Sequence, residues 1–154
     1  MARIYKFYRS LSVFFYLVIL LITYAYMPEK VGYLFNEYEE PIRAITRGTY
    51  FYSFLGLFIV VNTMLYLFDK QALSHLVSTS NMYLKERLTD WIRIFTGTSN
   101  MFMVLVMIFL VFSNSPNSVP IEQAIYLVYF GLLMIIACLI WLAGIAIRQD
   151  RQAK

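Results

Sequence analysis

Charged residues and cysteine are scarce in this chain, and each scarcity excludes a class of protein. Of the 154 residues, 14% are charged and 60% are hydrophobic, whereas soluble domains carry about 25% charged residues. Such a chain cannot hide its apolar surface from water by folding alone, so lipid must cover much of it. The single cysteine, Cys138, excludes an internal disulfide and a cysteine-rich metal site, and we expect it to be a small packing residue.

Ionisable and catalytic residues are equally scarce inside the long apolar segments. Proton and ion pathways depend on titratable groups within the membrane, and the centres of these segments contain none. Haem ligation in a membrane bundle would need histidines at matched depths on two helices, and the chain has one histidine, His75. No activated-serine motif lies beside it. Phosphate-binding and dinucleotide-binding glycine motifs are also missing. The sequence therefore predicts a protein that is not an enzyme and that needs neither a cofactor nor a metal.

What the chain does have is four apolar segments long enough to cross a membrane. Eighteen helical residues reach ~27 Å, close to the ~30 Å hydrocarbon core of a bilayer. The first segment is too long for a signal-peptide core and lacks a clean cleavage site, so we expect an uncleaved helix. The predicted fold is an all-α membrane protein with one four-helix domain over residues 1–154 and spans at about 10–27, 48–68, 95–112 and 122–147.

Lysine and arginine are distributed unevenly between the two sides of this predicted bundle. Three lie in the loop between the first two spans, at Lys30, Arg43 and Arg47. Ten lie in the two ends of the chain and in the connection 69–93, at Arg3, Lys6, Arg9, Lys70, Lys85, Arg87, Arg93, Arg148, Arg151 and Lys154. Since cytoplasmic flanks are rich in these residues, we expect both termini in the cytoplasm. The net charge of +4 is dispersed rather than gathered on one face, which argues against nucleic-acid binding.

The polar segment 28–47 is predicted to be the sizeable outer loop. It contains four of the nine acidic residues of the chain, at Glu29, Glu37, Glu39 and Glu40. An acidic patch that faces solvent or a partner is the first interpretation, with Arg43 beside it. Calcium binding by Asn36 and the neighbouring glutamates is the alternative, although their spacing matches no EF-hand. After Pro41 we expect a short helix that pairs Glu40 with Arg43 and Arg47.

A strongly amphipathic segment, residues 82–95, precedes the third span. Its apolar face contains Leu84, Leu88, Trp91, Ile92 and Phe95, and its polar face contains Lys85, Glu86, Thr89, Asp90 and Arg93. Ser80 is the expected N-cap. We predict a cytoplasmic amphipathic helix between the second and third spans. It either packs under its own bundle or docks a cytoplasmic partner, and the docking interpretation rests on Leu84, Leu88, Trp91 and Arg93.

Two amides lie within the predicted spans. Asn62 is the deepest strongly polar side chain of the second span, and Asn100 ends a cluster of small and hydroxyl residues, 96–100, at the start of the third. Amide side chains in membrane helices usually hydrogen-bond to a neighbouring helix, and small residues let helices approach closely. We therefore expect Asn62 and Asn100 to make interhelical contacts.

The outer loop carries a family resemblance in its spacing. Met27-Pro28-Glu29, Val31, Phe35-Asn36 and Pro41, followed by an aromatic start to the next helix, resemble the DUF1648-type module. Leu34 stands where that module commonly has histidine, and Glu39 or Glu40 where it commonly has glycine. The resemblance covers about residues 10–70. It implies an integral membrane protein of the bacterial inner membrane, similar to the SdpI-type immunity and signalling proteins.

Three functions are consistent with these features. The first is a non-catalytic accessory or structural subunit of a multi-subunit bacterial inner-membrane complex, which contacts membrane lipids and other integral membrane subunits through the loop 28–47 and the segment 82–95. The second is an immunity or signalling protein whose outer loop captures a peptide or toxin. The third is a small oligomeric transporter or channel, which would need several copies to build a polar lumen.

Overall fold

In the residues that the computed structural model describes, the fold consists of four long helices, one β-hairpin and one π-helical turn. The structure describes residues 2–36, 38, 40–72, 82–115 and 120–152. All four helices are long and apolar enough to cross a membrane. The elements in chain order are α1 (Ala2–Tyr26), β1 (Lys30–Phe35), β2 (Pro41–Thr46), α2 (Arg47–Leu67), a π-helical turn (Phe68–Ala72), α3 (Met82–Ser113) and α4 (Ile121–Gln152).

Helix α3 is the central element of the bundle. It packs along α1 on one side and along α4 on the other, whereas α2 makes much smaller contacts with α1 and α3. Each helix contains an 18-residue apolar stretch that could lie in a membrane. Of the residues in this stretch, 44% are buried inside the protein in α3 and 0% in α2. Helix α2 is therefore the least enclosed of the four helices.

The interface between α1 and α3 is a parallel seam of matched residues. Ser12, Tyr16 and Leu20 are buried on α1 at a spacing of four residues, and Val104 and Met107 are buried on α3. This spacing places the α1 residues on one helical face. Tyr8 lies against Gly97, and Ser12, further along α1, bonds to Asn100, further along α3. The two helices therefore run in the same direction and start at the same end of the bundle, which we call the basic end because Arg3, Lys6 and Arg9 are there.

Helix α3 continues without a break through the amphipathic segment. We expected a separate amphipathic helix and a new span near Phe95, but Met82–Ser113 is one helix of 32 residues. No proline interrupts it, and at ~1.5 Å per residue it is ~48 Å long, which exceeds the ~30 Å hydrocarbon core. The segment 82–95 is thus the first part of α3 rather than a separate helix.

The outer loop is a β-hairpin, so the short helix predicted after Pro41 is wrong. Val31 pairs with Ile45 and Gly32 with Ala44, with an irregular register between Gly32 and Phe35. β-Branched and aromatic residues favour strands, and Pro41 is acceptable as the first residue of one. The hairpin end of the bundle is anchored in the core because Val31 is fully buried.

Helix α2 begins one residue earlier than predicted. Thr46 is its N-cap, with an extended backbone and a side chain that accepts a hydrogen bond from the Thr49 amide. An N-cap hydroxyl satisfies one of the free amides at a helix start. The hairpin therefore passes directly into α2 with no intervening loop.

Two glycines of α4 test the packing against α3. A Cβ at Gly131 would lie 2.6 Å from Cδ2 of Phe102, whereas a Cβ at Gly144 meets nothing within 4 Å among the described residues. Overpacking costs about 1–3 kcal/mol, so we expect Gly131→Leu to lower the thermal unfolding midpoint in detergent by several degrees. Gly144→Leu is the matched control and should leave the midpoint unchanged. Equal midpoints for both variants would contradict the close approach of α3 and α4.

Candidate functional site

A hydrogen-bonded amide pair joins three helices inside the bundle. Nδ2 of Asn62 donates to Oδ1 of Asn100 at 2.9 Å, and Nδ2 of Asn100 donates back to Oδ1 of Asn62 at 3.2 Å. The Asn100 amide also donates to Oγ of Ser12 on α1 at 3.2 Å. Asn100 on α3 is therefore bonded to both α1 and α2 at one level of the bundle.

Two tyrosines add further polar contacts between α1 and α2. The Tyr16 hydroxyl donates to the Phe54 carbonyl oxygen at 2.9 Å, and the Tyr50 hydroxyl donates to Oγ1 of Thr23 at 3.0 Å. Throughout the described residues, every buried side-chain nitrogen or oxygen has a hydrogen-bond partner. Asn62, Asn100 and the two tyrosines thus use their polar groups to hold helices together, whereas buried Thr96 bonds to the Ile92 carbonyl of its own helix.

The β-hairpin is attached to the end of α3 through one asparagine. Oδ1 of Asn114 accepts a hydrogen bond from the Gly32 amide at 2.6 Å, and Nδ2 of Asn114 donates to the Gly32 carbonyl at 2.9 Å. The side chain thus pairs with the edge of β1 as a neighbouring strand would. A Cβ at Gly32 would lie 2.7 Å from Cβ of Pro41, so this position requires glycine.

The opposite edge of the hairpin is open. Among the described residues, β2 pairs with β1 alone. Since both backbone polar groups of Gly32 point to Asn114, those of its paired residue Ala44 point away from β1. An extended peptide binds such an edge by adding a strand to it.

The turn of the hairpin is organised by Asn36. Its Oδ1 accepts hydrogen bonds from the amides of Tyr38 and Glu40 at 3.0 and 2.8 Å, so this oxygen is engaged in the turn. Of the predicted acidic patch, Glu40 is exposed, and Glu37 and Glu39 lie outside the described residues. Where the structure describes the chain, three or more potential metal-binding side chains do not come together.

Large apolar side chains are exposed on the same hairpin. Tyr38 is 83% exposed and Ile42 is 60% exposed, and the neighbouring Arg43 is exposed as well. Tyrosine and arginine are enriched at protein interfaces. The side chain of Arg47 does not take part, because its guanidinium lies 5.1 Å over the ring of Tyr24.

The apolar face of the amphipathic segment is packed inside the protein. Trp91 is 7% exposed and, together with Ile92, contacts Leu84, Leu88, Phe95, Trp141, Leu142 and Ile145. The Trp91 indole N–H donates to the Cys138 carbonyl at 2.7 Å, so the ring is held against α4. Arg93 pairs with Asp90 at 3.3 Å. Of the two interpretations, the geometry matches packing under its own bundle, which leaves the polar face with Lys85 and Glu86 exposed.

The other sequence expectations for this region fall partly outside the structure. His75 and Ser80 lie outside the described residues. Cys138 is buried and its thiol lies 3.6 Å from Oγ1 of Thr98. It is therefore a packing residue at the interface of α3 and α4.

Three sets of residues that make tertiary contacts were not predicted from the sequence. Ser12, Asn114 and the ion pair between Arg9 and Asp69 at 3.7 Å were not singled out. The breaker chemistry around Asn114 suggested a turn, and its partner Gly32 lies 82 residues away. A polar residue immediately after an apolar span was the one available signal.

Comparisons with protein-family profiles, with curated proteins and with solved structures gave no match for this chain. The resemblance to the DUF1648-type module therefore stays a prediction.

Removing the Asn114 amide should loosen the hairpin. In Asn114→Ala the Gly32 amide loses its acceptor, and one lost hydrogen bond is worth about 1 kcal/mol, so we expect exchange of this amide to accelerate about fivefold. Hydrogen exchange measured by NMR checks this. Gln123→Ala, on the exposed surface of α4, is the control and should leave the Gly32 amide unaffected. Unchanged exchange in Asn114→Ala would show that the contact does not restrain β1.

Proposed function

We propose that this protein is a non-catalytic accessory subunit of a multi-subunit complex in the bacterial inner membrane, with both termini in the cytoplasm. The observation that carries the proposal is the exposure of α2: none of the residues in its 18-residue apolar stretch (0%) is buried by the rest of the chain. A helix held by so little of its own protein has most of its surface available to a neighbour. The positive charges of the basic end support the orientation.

The outer face of α2 has the composition of a helix-packing surface. Thr49, Ser53, Gly56, Val60 and Thr63 follow one another at spacings of four and three residues, and all are exposed. This spacing places them on one helical face, opposite the face that contains Tyr50, Phe54, Phe58 and Asn62. Small and hydroxyl residues let a second helix approach closely and hydrogen-bond across the contact. An apolar transmembrane helix of a partner subunit fits this face.

The hairpin supplies the second contact of the proposed subunit. Tyr38, Ile42 and Arg43 are exposed beside Glu40, so the surface combines an aromatic anchor with charges of both signs. At the basic end, the polar face of the segment 82–95 is available, while Leu84, Leu88 and Trp91 face α4. Partner contacts there would involve Lys85 and Glu86 rather than the apolar residues first singled out.

An immunity or signalling protein that captures a peptide is the alternative function. The open edge of β2 favours it, because an extended peptide gains backbone hydrogen bonds there, along the strand that exposes Ile42. A bound peptide would protect the Ala44 amide from exchange. Unchanged exchange of Ala44 in the presence of the peptide would end this alternative.

Purification from native membranes in mild detergent, followed by mass spectrometry, tests the subunit proposal. We expect the wild-type chain to retain partners in fixed stoichiometry and Gly56→Leu to lose them, because leucine keeps the second helix from approaching α2. Gly144→Leu places the same side chain in open space on α4 and should retain them.

Equal thermal midpoints of the two variants would show that loss of partners is not loss of fold. Recovery of the wild-type chain alone and monodisperse, or equal retention by Gly56→Leu and Gly144→Leu, would contradict the proposal.

A further inference from the structure

Two cations share one tyrosine ring where α1 and α2 meet at the basic end. The guanidinium carbon of Arg9 lies 5.9 Å from the Tyr66 ring centroid, and Nζ of Lys70 lies 5.8 Å from it. Cations within about 6 Å of an aromatic ring are attracted to its face. The Tyr66 ring therefore attracts one cation from α1 and one from the π-helical turn that follows α2.

The charges of this cluster are not balanced. Asp69 pairs with Arg9 at 3.7 Å. Lys6 lies one turn before Arg9, within about 60° around the helix axis, and both Lys6 and Lys70 are exposed. Within the described parts of the chain, neither lysine forms an ion pair. Among Lys6, Arg9, Asp69 and Lys70 there are thus three cations and one carboxylate, which pairs with Arg9, and an anion would neutralise the positive excess.

Two apolar residues that adjoin this cluster in the sequence are exposed. Leu67 and Phe68 lie between Tyr66 and Lys70 and are 44% and 45% exposed. Phe68 begins the π-helical turn that contains Asp69 and Lys70. A ligand that bridges both surfaces has a negative head and an apolar tail, and the apolar residues distinguish it from free phosphate.

We propose that Lys6, Arg9 and Lys70, with the Tyr66 ring between them, bind the phosphate of an anionic phospholipid. The acyl chains of that lipid run along Leu67 and Phe68. Basic groups between helices at the cytoplasmic side recognise anionic headgroups, and the assignment of the basic end to that side rests on the orientation proposed above. The inference concerns lipid alone and does not depend on the proposed subunit function.

The test measures retention of phosphatidylglycerol by native mass spectrometry on the full chain in phosphatidylcholine-containing micelles. Each lysine near an anionic headgroup contributes about a fivefold gain in affinity. We therefore expect Lys6→Gln and Lys70→Gln each to lower retention about fivefold, and the double variant to lower it more than either. Lys70→Arg keeps the charge and should retain the lipid.

Controls separate a defined site from general charge attraction. Lys85→Gln removes an exposed cation on α3 and should leave retention unchanged, as should millimolar inorganic phosphate. The proposal is overturned if Lys85→Gln lowers retention as much as Lys70→Gln, if the double variant retains the lipid, or if inorganic phosphate displaces it. Thermal midpoints in phosphatidylcholine alone should be equal for all variants, because these lysines are exposed.

Discussion

Asn100 makes the contact on which the arrangement of the first three spans depends. One amide side chain on α3 bonds to Asn62 on α2 and to Ser12 on α1. Lipid tails are as apolar as leucine, so hydrophobic exclusion does not select one arrangement of membrane helices over another. Packing and interhelical hydrogen bonds make that selection. The hydrogen bonds among Ser12, Asn62 and Asn100 therefore fix the axial positions of α1, α2 and α3 relative to one another.

The same constraint explains why function is proposed at the surfaces. Helix α3 is enclosed by α1 and α4 and contributes more of the buried residues than any other element. Helix α2 is held by a few polar bonds and aromatic contacts, such as the stacked rings of Tyr16 and Phe58 at 4.6 Å, and its opposite face is free. Asn114 holds the hairpin at one end of the bundle. Lys6 and Lys70 lie at the opposite, basic end. Three separate surfaces therefore carry the proposals: the exposed face of α2, the hairpin, and the lysines at the basic end.

The sequence was sufficient to predict the four helices, because a long uninterrupted apolar run such as 122–147 favours a membrane-length helix independently of its tertiary contacts. It also indicated that Asn62 and Asn100 bond between helices, since an amide in a span has few other partners. The hairpin was missed because Glu40, Arg43 and Arg47 fit a helical ion-pair spacing equally well. The separate amphipathic helix was wrong because periodicity does not show where a helix stops when no proline or glycine ends it. The contacts of Trp91 with Cys138 and of Asn114 with Gly32 depend on tertiary structure, which no local pattern contains.

The coupling between Asn62 and Asn100 is the most direct test of this account. A double-mutant cycle with Asn62→Ala, Asn100→Ala and the double variant, measured by unfolding in mixed micelles, isolates this pair from the Ser12 contact. We expect a coupling free energy of about 0.6 kcal/mol, the average found for hydrogen bonds between membrane helices, and at most about 1.7 kcal/mol. Additive effects within about 0.3 kcal/mol would show that the pair does not hold α2 to α3, and would contradict the account.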